Sequence, residues 1–279
     1  MGGSYINKIY NMKKKLFEFI FLTRRFIYLS LSFMNRLTIK QNTVFILSYH
    51  SINKDKWRFS IDYDEFVRQV DYLLKYFEPV NLDDIYLFIR GKKSIEKSSF
   101  AITFDDGYED ILKLKNYFRK NGIRPAFFIL SDNVNANRKE LGTDREFLNK
   151  EEVESLVSDG WILGCHSATH CDFSALGREK IYKEVVNSKK QLEKKLRRKV
   201  DYFVYPKGKY SKEILDIVKK AGYKLALSMN DGFISKETDL FTIPRIGVDR
   251  THSYNEFKTL FLPSVVIFKN LIKRGMKLI

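Results

Sequence analysis

The sequence predicts an α/β fold, a distorted (β/α) barrel of about seven strands in a single domain, and three observations support this prediction. The chain has 279 residues, of which 44% are hydrophobic and 30% are charged, a globular composition that excludes wholesale disorder. From Thr43 onward, short β-branched or aromatic runs alternate with amphipathic stretches, as in βα units around a parallel sheet. No fixed-period repeat is present, which argues against solenoids and low-complexity arrays.

The first half of the pattern contains three strands and two helices. In chain order they are strand Val44 to Tyr49, a helix after Asp62, strand Phe100 to Phe104, a helix from about Glu109 to Lys120, and strand Ala126 to Leu130. Asp62 and Glu65 have the spacing of a capping box, and Asn121-Gly122 is a helix stop signal.

The second half continues the alternation. Its elements are helix Glu151 to Ser158, strand Trp161 to Cys165, a helix from about Glu179 to Arg197, strand Tyr202 to Tyr205, helix Lys212 to Lys220 capped by Ser211, and strands Leu225 to Ser228 and Ile243 to Val248. In a barrel of this kind the chemistry takes place at the carboxyl ends of the strands, so the polar residues that follow each strand are the candidate functional residues.

The net charge of +16 is concentrated at the two ends of the chain. Residues 1–42 hold eight Lys or Arg against Glu18 alone, and residues 254–279 hold five against Glu256 alone. We therefore predict a basic amphipathic segment at 1–42, the barrel at 43–255 and a second basic amphipathic segment at 256–279. No nucleic-acid partner is expected, because zinc-finger spacing, RNP-like aromatic runs and a leucine zipper are missing from the sequence.

The two basic ends also carry large apolar residues. The run Leu16 to Leu22 follows three lysines like a signal peptide, but Glu18 and Arg24-Arg25 interrupt it and no small-residue cleavage site follows. The uncharged run Phe26 to Asn35 is about half of the ~20 residues that a transmembrane helix needs. An interfacial helix is the physical interpretation, and a helix packed on the protein's own core is its alternative.

We therefore expect peripheral contact with an anionic membrane through both ends. The apolar residues involved are Phe17, Phe19, Ile20, Phe21, Phe26, Ile27 and Leu29 at the N-terminus, and Leu260, Phe261, Val265, Phe268, Leu271 and Ile272 at the C-terminus. Only two cysteines, Cys165 and Cys171, are present, which favours the cytoplasmic side over secretion.

Two constellations after strands can carry chemistry. Asp105 and Asp106 follow the strand that ends at Phe104, and adjacent residues point in different directions, so the two carboxylates can hold separate roles; the alternative is a turn with an N-cap Asp. His166 and His170, four residues apart, can join a carboxylate in a metal site with open positions. The alternatives are two structural histidines, or a thiolate-rich zinc site with the flanking cysteines.

Three further positions are weaker candidates. Tyr205 precedes Pro206-Lys207-Gly208, a tight turn whose backbone N–H groups can act as an oxyanion hole. His50 ends the first strand, and Arg245 lies before an apolar run near the last strand. Taken alone, each of these also fits a purely structural role.

The ordered motifs Thr103-Phe104-Asp105-Asp106-Gly107, His166-Ser167-x-x-His170 and Tyr205-Pro206 resemble the polysaccharide deacetylase family with the NodB homology domain, carbohydrate esterase family 4. The similarity covers about Thr43 to Asp249, and Leu47-Ser48-Tyr49-His50-Ser51 resembles its poly-N-acetylglucosamine deacetylase branch. The resemblance implies a NodB-like single catalytic barrel.

For the site residues, the resemblance implies Asp105 as general base, Asp106, His166 and His170 as metal ligands, and the Tyr205 N–H as oxyanion donor. The family's third-motif Arg and its C-terminal Leu-x-His are absent. In the branch that this chain resembles, an N-terminal strand histidine supplies the acid, which maps to His50, with His252 as the rival. Arg245 is then the candidate that orients Asp105.

The resemblance therefore predicts a metal-dependent hydrolase that removes N-acetyl groups from amino sugars of a polysaccharide or lipid-linked glycan. The divalent metal is expected to be Zn²⁺, with Co²⁺, Ni²⁺ or Fe²⁺ as alternatives that suit the same ligands. Two other functions remain open at this point: an amidase such as a deformylase acting on a lipid-linked amino sugar, and a catalytically inactive glycan-binding homologue.

Overall fold

The structure of the protein is a computed structural model that describes residues 20–32 and 42–275. The chain divides into two compact units, Gln41–Arg250 and a second formed by the two ends, Met1–Lys40 with Thr251–Ile279. We call the first the barrel unit and the second the end unit. The predicted segment boundaries at residues 42 and 255 stay predictions.

The barrel unit is built on a sheet of parallel strands. Its strands are β1 Val44–Tyr49, β2 Ser51–Ile52, β3 Ser60–Ile61, β4 Glu78–Pro79, β5 Ser99–Phe104, β6 Ala126–Ile129, β7 Ile162–Cys165, β8 Tyr202–Val204, β9 Leu225–Leu227 and β10 Ile246–Gly247. The main sheet has the order β10-β1-β5-β6-β7-β8-β9, with β4 beside β5, while β2 and β3 pair separately. A parallel bridge between Leu227 and Ile243 brings the segment before β10 next to β9, so the sheet curls towards closure. The predicted α/β barrel is confirmed.

The helices of the barrel unit connect these strands, and α1, α10 and α11 belong to the end unit. The helices are α1 (20–32), α2 Tyr63–Tyr76, α3 Leu82–Ile89, α4 Lys115–Lys120, α5 Arg138–Leu141, α6 Lys150–Ser158, α7 Arg178–Tyr182, α8 Ser188–Leu196, α9 Lys212–Lys220, α10 Tyr254–Phe257 and α11 Pro263–Gly275. Local sequence sets several starts. Asn81 and Asn149 form capping boxes with Asp84 and Glu152, and the side chain of Ser211 caps α9 as predicted.

The strands are buried, and their register places their carboxyl ends side by side at one edge of the sheet. All six residues of β1 and of β5 are buried, as expected for a parallel sheet covered on both faces. The register pairs Tyr49 with Phe104, and Ile129 with Cys165. His50 and Asp105 therefore leave neighbouring strands side by side, at the same edge of the sheet as His166.

Four predicted elements differ in detail from the structure. The helix expected at 109–120 begins as a 3₁₀ helix over Glu109–Leu114, and the long helix expected at 179–197 contains a π-helical turn at Lys183–Asn187. Asp62 caps α2 by accepting from Asp64 N without a capping box, because Glu65 accepts from Gln69 instead.

The last predicted strand, Ile243 to Val248, is wrong in extent, since only Ile246–Gly247 forms β10. Pro244 lacks an N–H for a ladder, and the N–H of Arg245 donates to Asn230 O over 3.0 Å.

The end unit joins residues from both termini. Arg24 of α1 pairs with Glu256 of α10 over 2.9 Å, and the rings of Tyr28 and Phe268 meet edge to face at 6.3 Å. None of the helices in the described part of the chain has the length and apolar character needed to span a bilayer.

Candidate active site at the carboxyl ends of the strands

The site lies where β1, β5, β7 and β8 end. The structure brings Asp106, His166 and His170 into one buried cluster, and it pairs Asp105 with Arg245 next to that cluster. His166 Nδ1 contacts Val204 O over 2.9 Å, which places the end of β8 beside β7. Residues from separate parts of the sequence therefore meet in one pocket.

Asp106, His166 and His170 have the geometry of a metal site. Their ligand atoms all lie within 4.8 Å of one another. Asp106 Oδ1 is 3.3 Å from His166 Nε2 and 3.5 Å from His170 Nε2. Two imidazoles and one carboxylate on a shared centre are a donor set that suits Zn²⁺ and related ions and leaves coordination positions open.

The hydrogen bonds around the cluster test its fit to a cation. Val204 O can only accept, so His166 Nδ1 carries a proton and, in the neutral ring, the Nε2 lone pair faces Asp106. Asp106 Oδ1 is buried and has no hydrogen-bond partner among the described residues. A lone pair aimed at an unpaired carboxylate oxygen is repulsive by itself and favourable around a divalent ion. These residues therefore fit a metal.

Electrostatics act in the same direction for Asp106 and His170, whereas for His166 burial lowers the pKa but Asp106 and Asp105 outweigh it and bring that pKa above its usual value. Burial by itself raises the pKa of Asp106, but His170, His166 and His50 outweigh burial and hold that pKa well below its usual range. Burial lowers the pKa of His170 to about 4, against the pull of Asp106. Asp106 is therefore ionised and His170 neutral at neutral pH, which are the protonation states that metal ligation requires.

Asp105 is held by Arg245, which is fully buried. Arg245 Nη1 and Nη2 donate to the two Asp105 oxygens over 2.7 and 2.8 Å, and Arg245 Nε donates to Ser228 O over 3.0 Å. Burial tends to raise the pKa of Asp105, but the charge and hydrogen bonds of Arg245 bring it below its usual value. Asp105 is therefore a fixed carboxylate, able to accept a proton.

The backbone at the site is strained. Asp106, Ser167 and His170 have φ values of +69°, +70° and +62°, in the left-handed region that costs roughly 1–3 kcal/mol for each non-glycine residue. At Gly107, φ is +75° and a Cβ would lie 2.7 Å from Ile129 Cγ2, so only glycine fits. Strain of this kind persists only where surrounding contacts hold it, and it is concentrated at functional sites.

Comparisons with known proteins agree with this geometry. Residues 92–226 match the family model described as polysaccharide deacetylase. This part of the chain is therefore similar to a polysaccharide deacetylase domain. A poly-β-1,6-N-acetyl-D-glucosamine N-deacetylase of Staphylococcus aureus (strain MRSA252) is 23% identical over 236 aligned residues, covering 76% of this chain and 80% of the relative. The resemblance predicted from the motifs is confirmed.

Two solved structures share the fold. IcaB from Ammonifex degensii has a TM-score of 0.68 at 19% identity, covering 80% of this chain and 97% of that one. The Streptococcus pyogenes deacetylase PplD in complex with acetate has a TM-score of 0.66 at 20% identity, covering 79% and 99%. At these identities the likeness confirms the fold of the barrel unit alone.

His50 lies in an aromatic corner of the barrel unit. Its ring centroid is 4.7 Å from that of Phe59 and 6.4 Å from that of Trp57, and Trp57 lies 5.5 Å from Tyr108. His50 Nδ1 is buried and has no hydrogen-bond partner among the described residues. Sequence reasoning missed this corner, although two aromatic residues so soon after His50 were a signal that could have found it.

Two other candidates are placed differently from expectation. The N–H of Tyr205 donates to Leu227 O over 3.3 Å, so an oxyanion would compete with that bond, and the donor role of Tyr205 stays a prediction. Neither cysteine belongs to the ligand cluster found among the described residues. Cys165 Sγ donates to Ser188 Oγ over 3.3 Å, and Cys171 Sγ contacts Thr169 Oγ1 over 3.2 Å.

Proposed function

We propose that this protein is a metal-dependent polysaccharide N-deacetylase that removes acetyl groups from amino sugars of a glycan. The observation that supports the proposal most is the buried Asp106, His166 and His170 cluster next to an Arg-clamped carboxylate inside a polysaccharide deacetylase domain. The amino-sugar substrate is supported by the name of the Staphylococcus aureus relative, which acts on poly-β-1,6-N-acetyl-D-glucosamine.

Asp106, His166 and His170 would hold a divalent ion, Zn²⁺ first, with Co²⁺, Ni²⁺ or Fe²⁺ suited to the same donors. The chemistry such an ion supplies when bound is polarisation of an acyl oxygen and a lower pKa for water. The protein holds the three ligand side chains close together and shields them from water, since each of the three residues is less than one tenth exposed.

Asp105 is the proposed general base. As a carboxylate it accepts the proton of the attacking water while the water oxygen bonds to the acetyl carbon. The two hydrogen bonds from Arg245 fix the direction of the Asp105 lone pairs, so the carboxylate is oriented before the substrate arrives. Arg245 therefore acts through Asp105.

His50 is the proposed general acid. Cleavage of the carbon–nitrogen bond expels an amine, which is a poor leaving group unless a proton reaches its nitrogen. His50 follows β1 at the same edge of the sheet as Asp105, and its charge contributes to the low pKa of Asp105 and Asp106. The products are acetate and the free amino sugar, and the Tyr205 N–H is the proposed donor to the oxyanion formed on the way.

The test is acetate release from N-acetylglucosamine oligomers by the full chain, first stripped of metal and then supplied with Zn²⁺, Co²⁺, Ni²⁺ or Fe²⁺. We expect one free amine for each acetate, only with metal present. Formate release from N-formyl sugars, without acetate release, would replace the proposal with the deformylase. Metal binding and glycan binding without any product would identify an inactive glycan-binding homologue.

We also propose that the end unit attaches the protein peripherally to an anionic membrane, with the cytoplasmic side favoured. Leu260, Phe261 and Val265, expected at the membrane, are buried in the structure, and Phe17 and Phe19 lie outside the described residues. The apolar residues that support the proposal are therefore the exposed ones, Ile20, Leu22, Phe26, Leu29, Ile267, Leu271 and Ile272. Basic residues at both ends complement anionic headgroups, at about 1 kcal/mol each near the surface.

Co-sedimentation with vesicles tests the attachment. The full chain should pellet with anionic vesicles more than with neutral ones, and the double variant Phe26→Ser, Leu271→Ser should lose at least about tenfold in binding, since two large side chains leave the apolar phase. Val134, which is 90% exposed on the barrel unit, provides the control Val134→Ser. Equal pelleting of wild type and double variant on both vesicles would contradict the proposal.

A further inference from the structure

We propose that Glu184 is a positioning residue that holds the loop between His166 and His170 in its metal-binding shape and thereby sets the affinity for the metal. The inference rests on the proposed function in one respect: it takes Asp106, His166 and His170 as the metal site.

Glu184 is a buried carboxylate whose hydrogen bonds reach the loop between His166 and His170. Its Oε2 accepts from Ala168 N over 3.0 Å and from Thr169 N over 2.9 Å, and its Oε1 accepts from Thr169 Oγ1 over 2.7 Å. Glu184 is only 9% exposed. Both oxygens thus bond to neutral donors from two consecutive residues that lie between the two histidines, and such charge-assisted hydrogen bonds are about twice as strong as neutral ones.

The loop requires an external support because its own backbone is strained. Ser167 and His170 have positive φ values, and these two residues flank the two that Glu184 binds. Ser167 Oγ accepts from His170 N over 3.1 Å, which closes the loop from inside. The backbone carbonyls of the loop accept from Ser131 N, Asp132 N and Asn137 N, whereas Glu184 accepts from its N–H groups. Without Glu184, two adjacent N–H groups would lose their acceptor, and the left-handed residues would lose one of the contacts that hold them.

The support itself is rigid. Glu184 lies in the π-helical turn Lys183–Asn187 between α7 and α8, and π turns are rare features that often occur at functional sites. The same segment is bound to the strand that carries His166, because Cys165 Sγ donates to Ser188 Oγ over 3.3 Å and Ser188 Oγ donates to Val185 O over 2.9 Å. Two contacts therefore join this helix to both sides of His166.

The variant Glu184→Gln preserves size and removes the charge. Its amide NH₂ would face donors where one carboxylate oxygen now accepts, so the loop would lose at least one hydrogen bond. Loss of a residue that supports the metal ligands without binding the metal itself typically weakens metal binding by 10–100-fold. We expect a loss in this range for Glu184→Gln.

The experiment measures metal binding directly, on the full chain stripped of metal. Co²⁺ is titrated and its ligand-field absorption gives both the dissociation constant and the coordination geometry. The matched control is Glu179→Gln, since Glu179 lies on α7, is 84% exposed and pairs only with Lys183 among the described residues. We expect wild-type Co²⁺ affinity for the control, and weaker binding with an altered spectrum for Glu184→Gln.

A second variant protects the test against misfolding of Glu184→Gln. Thr169→Val removes only the hydroxyl that donates to Glu184 Oε1, and Glu184 Oε2 keeps both of its backbone N–H donors, so we expect a smaller loss of Co²⁺ affinity, about 3–10-fold for one side-chain hydrogen bond. Thermal unfolding of the metal-free proteins monitors the fold. Unchanged Co²⁺ affinity in the folded variants would overturn the role of Glu184 and leave the proposed function standing, whereas a wild type that binds no Co²⁺ or Zn²⁺ would overturn both.

Discussion

The barrel unit and the end unit differ in the kinds of residue that they bury and expose. The barrel unit buries charge, with Asp105, Asp106, Glu184, Arg245 and Asp249 all less than one tenth exposed. The end unit exposes apolar surface: seven of the eleven exposed large hydrophobic residues among the described parts of the chain belong to it, although it contributes far fewer residues. Both arrangements run against the usual distribution of residues, and such departures carry the functional information.

The comparison suggests a separate role for each unit, catalysis in the barrel unit and attachment in the end unit. Burying a carboxylate costs several kcal/mol unless partners compensate it, so a buried cluster of charges is maintained by a network such as Asp105 with Arg245. An exposed apolar side chain costs little by itself, and several of them on one unit are what an interaction with a membrane or a partner would use. Chemistry should therefore respond to changes in the barrel unit, and attachment to changes in the end unit.

The largest expected effect is on metal and turnover together. Asp106→Ala should lose bound metal and all measurable acetate release, because two imidazoles remain at a site built for three ligands. Asp105→Asn should keep the metal, since Asp105 is outside the cluster, while turnover falls by about 10²–10⁴-fold for a lost general base. Elemental analysis beside an acetate assay checks both, and full metal occupancy in Asp106→Ala would contradict the ligand assignment.

The next effect distinguishes the two candidate acids, one in each unit. His50→Ala should remain folded and lose about 10²–10⁴-fold in kcat, because no other proton donor is expected to reach the leaving amine. His252 belongs to the end unit, so His252→Ala should retain wild-type kcat and serves as the control. If kcat falls in His252→Ala and not in His50→Ala, the division of labour between the units is wrong.

The motifs predicted the metal cluster more sharply than its surroundings. Asp106, His166 and His170 were found because local spacing and strand ends bring them together, and both signals are present in the sequence. Glu184 was missed because its helix looks like an ordinary charged helix. The signal available was its position between Ile181 and Val185, two residues of the buried face, where a carboxylate needs a partner.

Register and hydrogen bonds limited the rest of the prediction. Arg245 was a candidate by its place near the last strand and by the family resemblance, and its bidentate contact with Asp105 joins residues that lie 140 positions apart, which no local pattern reveals. The Leu227 carbonyl that accepts from the Tyr205 N–H belongs to a neighbouring strand, and the Tyr205-Pro206 motif does not predict which strand pairs with it.

The third prediction concerns stability in the barrel unit. Arg245→Met keeps the bulk of the side chain and leaves Asp105 buried without its cation, so the free energy of unfolding should fall by about 3–5 kcal/mol. Urea unfolding followed by fluorescence of Trp57 and Trp161, both in the barrel unit, measures it. The control is Arg178→Met. Arg178 and its partner Glu213 are 73% and 47% exposed, so the loss of this pair should cost less than about 1 kcal/mol. Equal losses of unfolding free energy in the two variants would mean that burial does not determine how much the pair of Asp105 and Arg245 stabilises the fold.

The smallest expected effect is in the end unit, where Glu256 is the buried charge. Burial raises the pKa of Glu256, but its bonds to Ser253 and Arg24 outweigh burial and bring the pKa below 4.5. A lowered pKa means that the pair stabilises the unit above pH 4.5 and that this contribution is lost as the pH falls through the folded pKa. Arg24→Met should therefore destabilise the end unit by about 1–3 kcal/mol at pH 7, since Glu256 keeps its Ser253 bonds.

Hydrogen exchange of peptides from α1 and α11 measures this loss within the end unit. Exchange in Arg24→Met should be faster than in wild type at pH 7, and the ratio of the two rates should decrease as the pH falls through the folded pKa of Glu256, which lies below 4.5. The ratio should stay above one, because Arg24 also donates to Thr251 Oγ1 and Thr251 O. The exposed neighbour provides the control Arg25→Met, which should exchange like wild type. Acetate release should stay at the wild-type rate in both variants, because the catalytic groups belong to the barrel unit. A fall in kcat that accompanies faster exchange in α1 would show that the two units are coupled in function as well as joined in sequence.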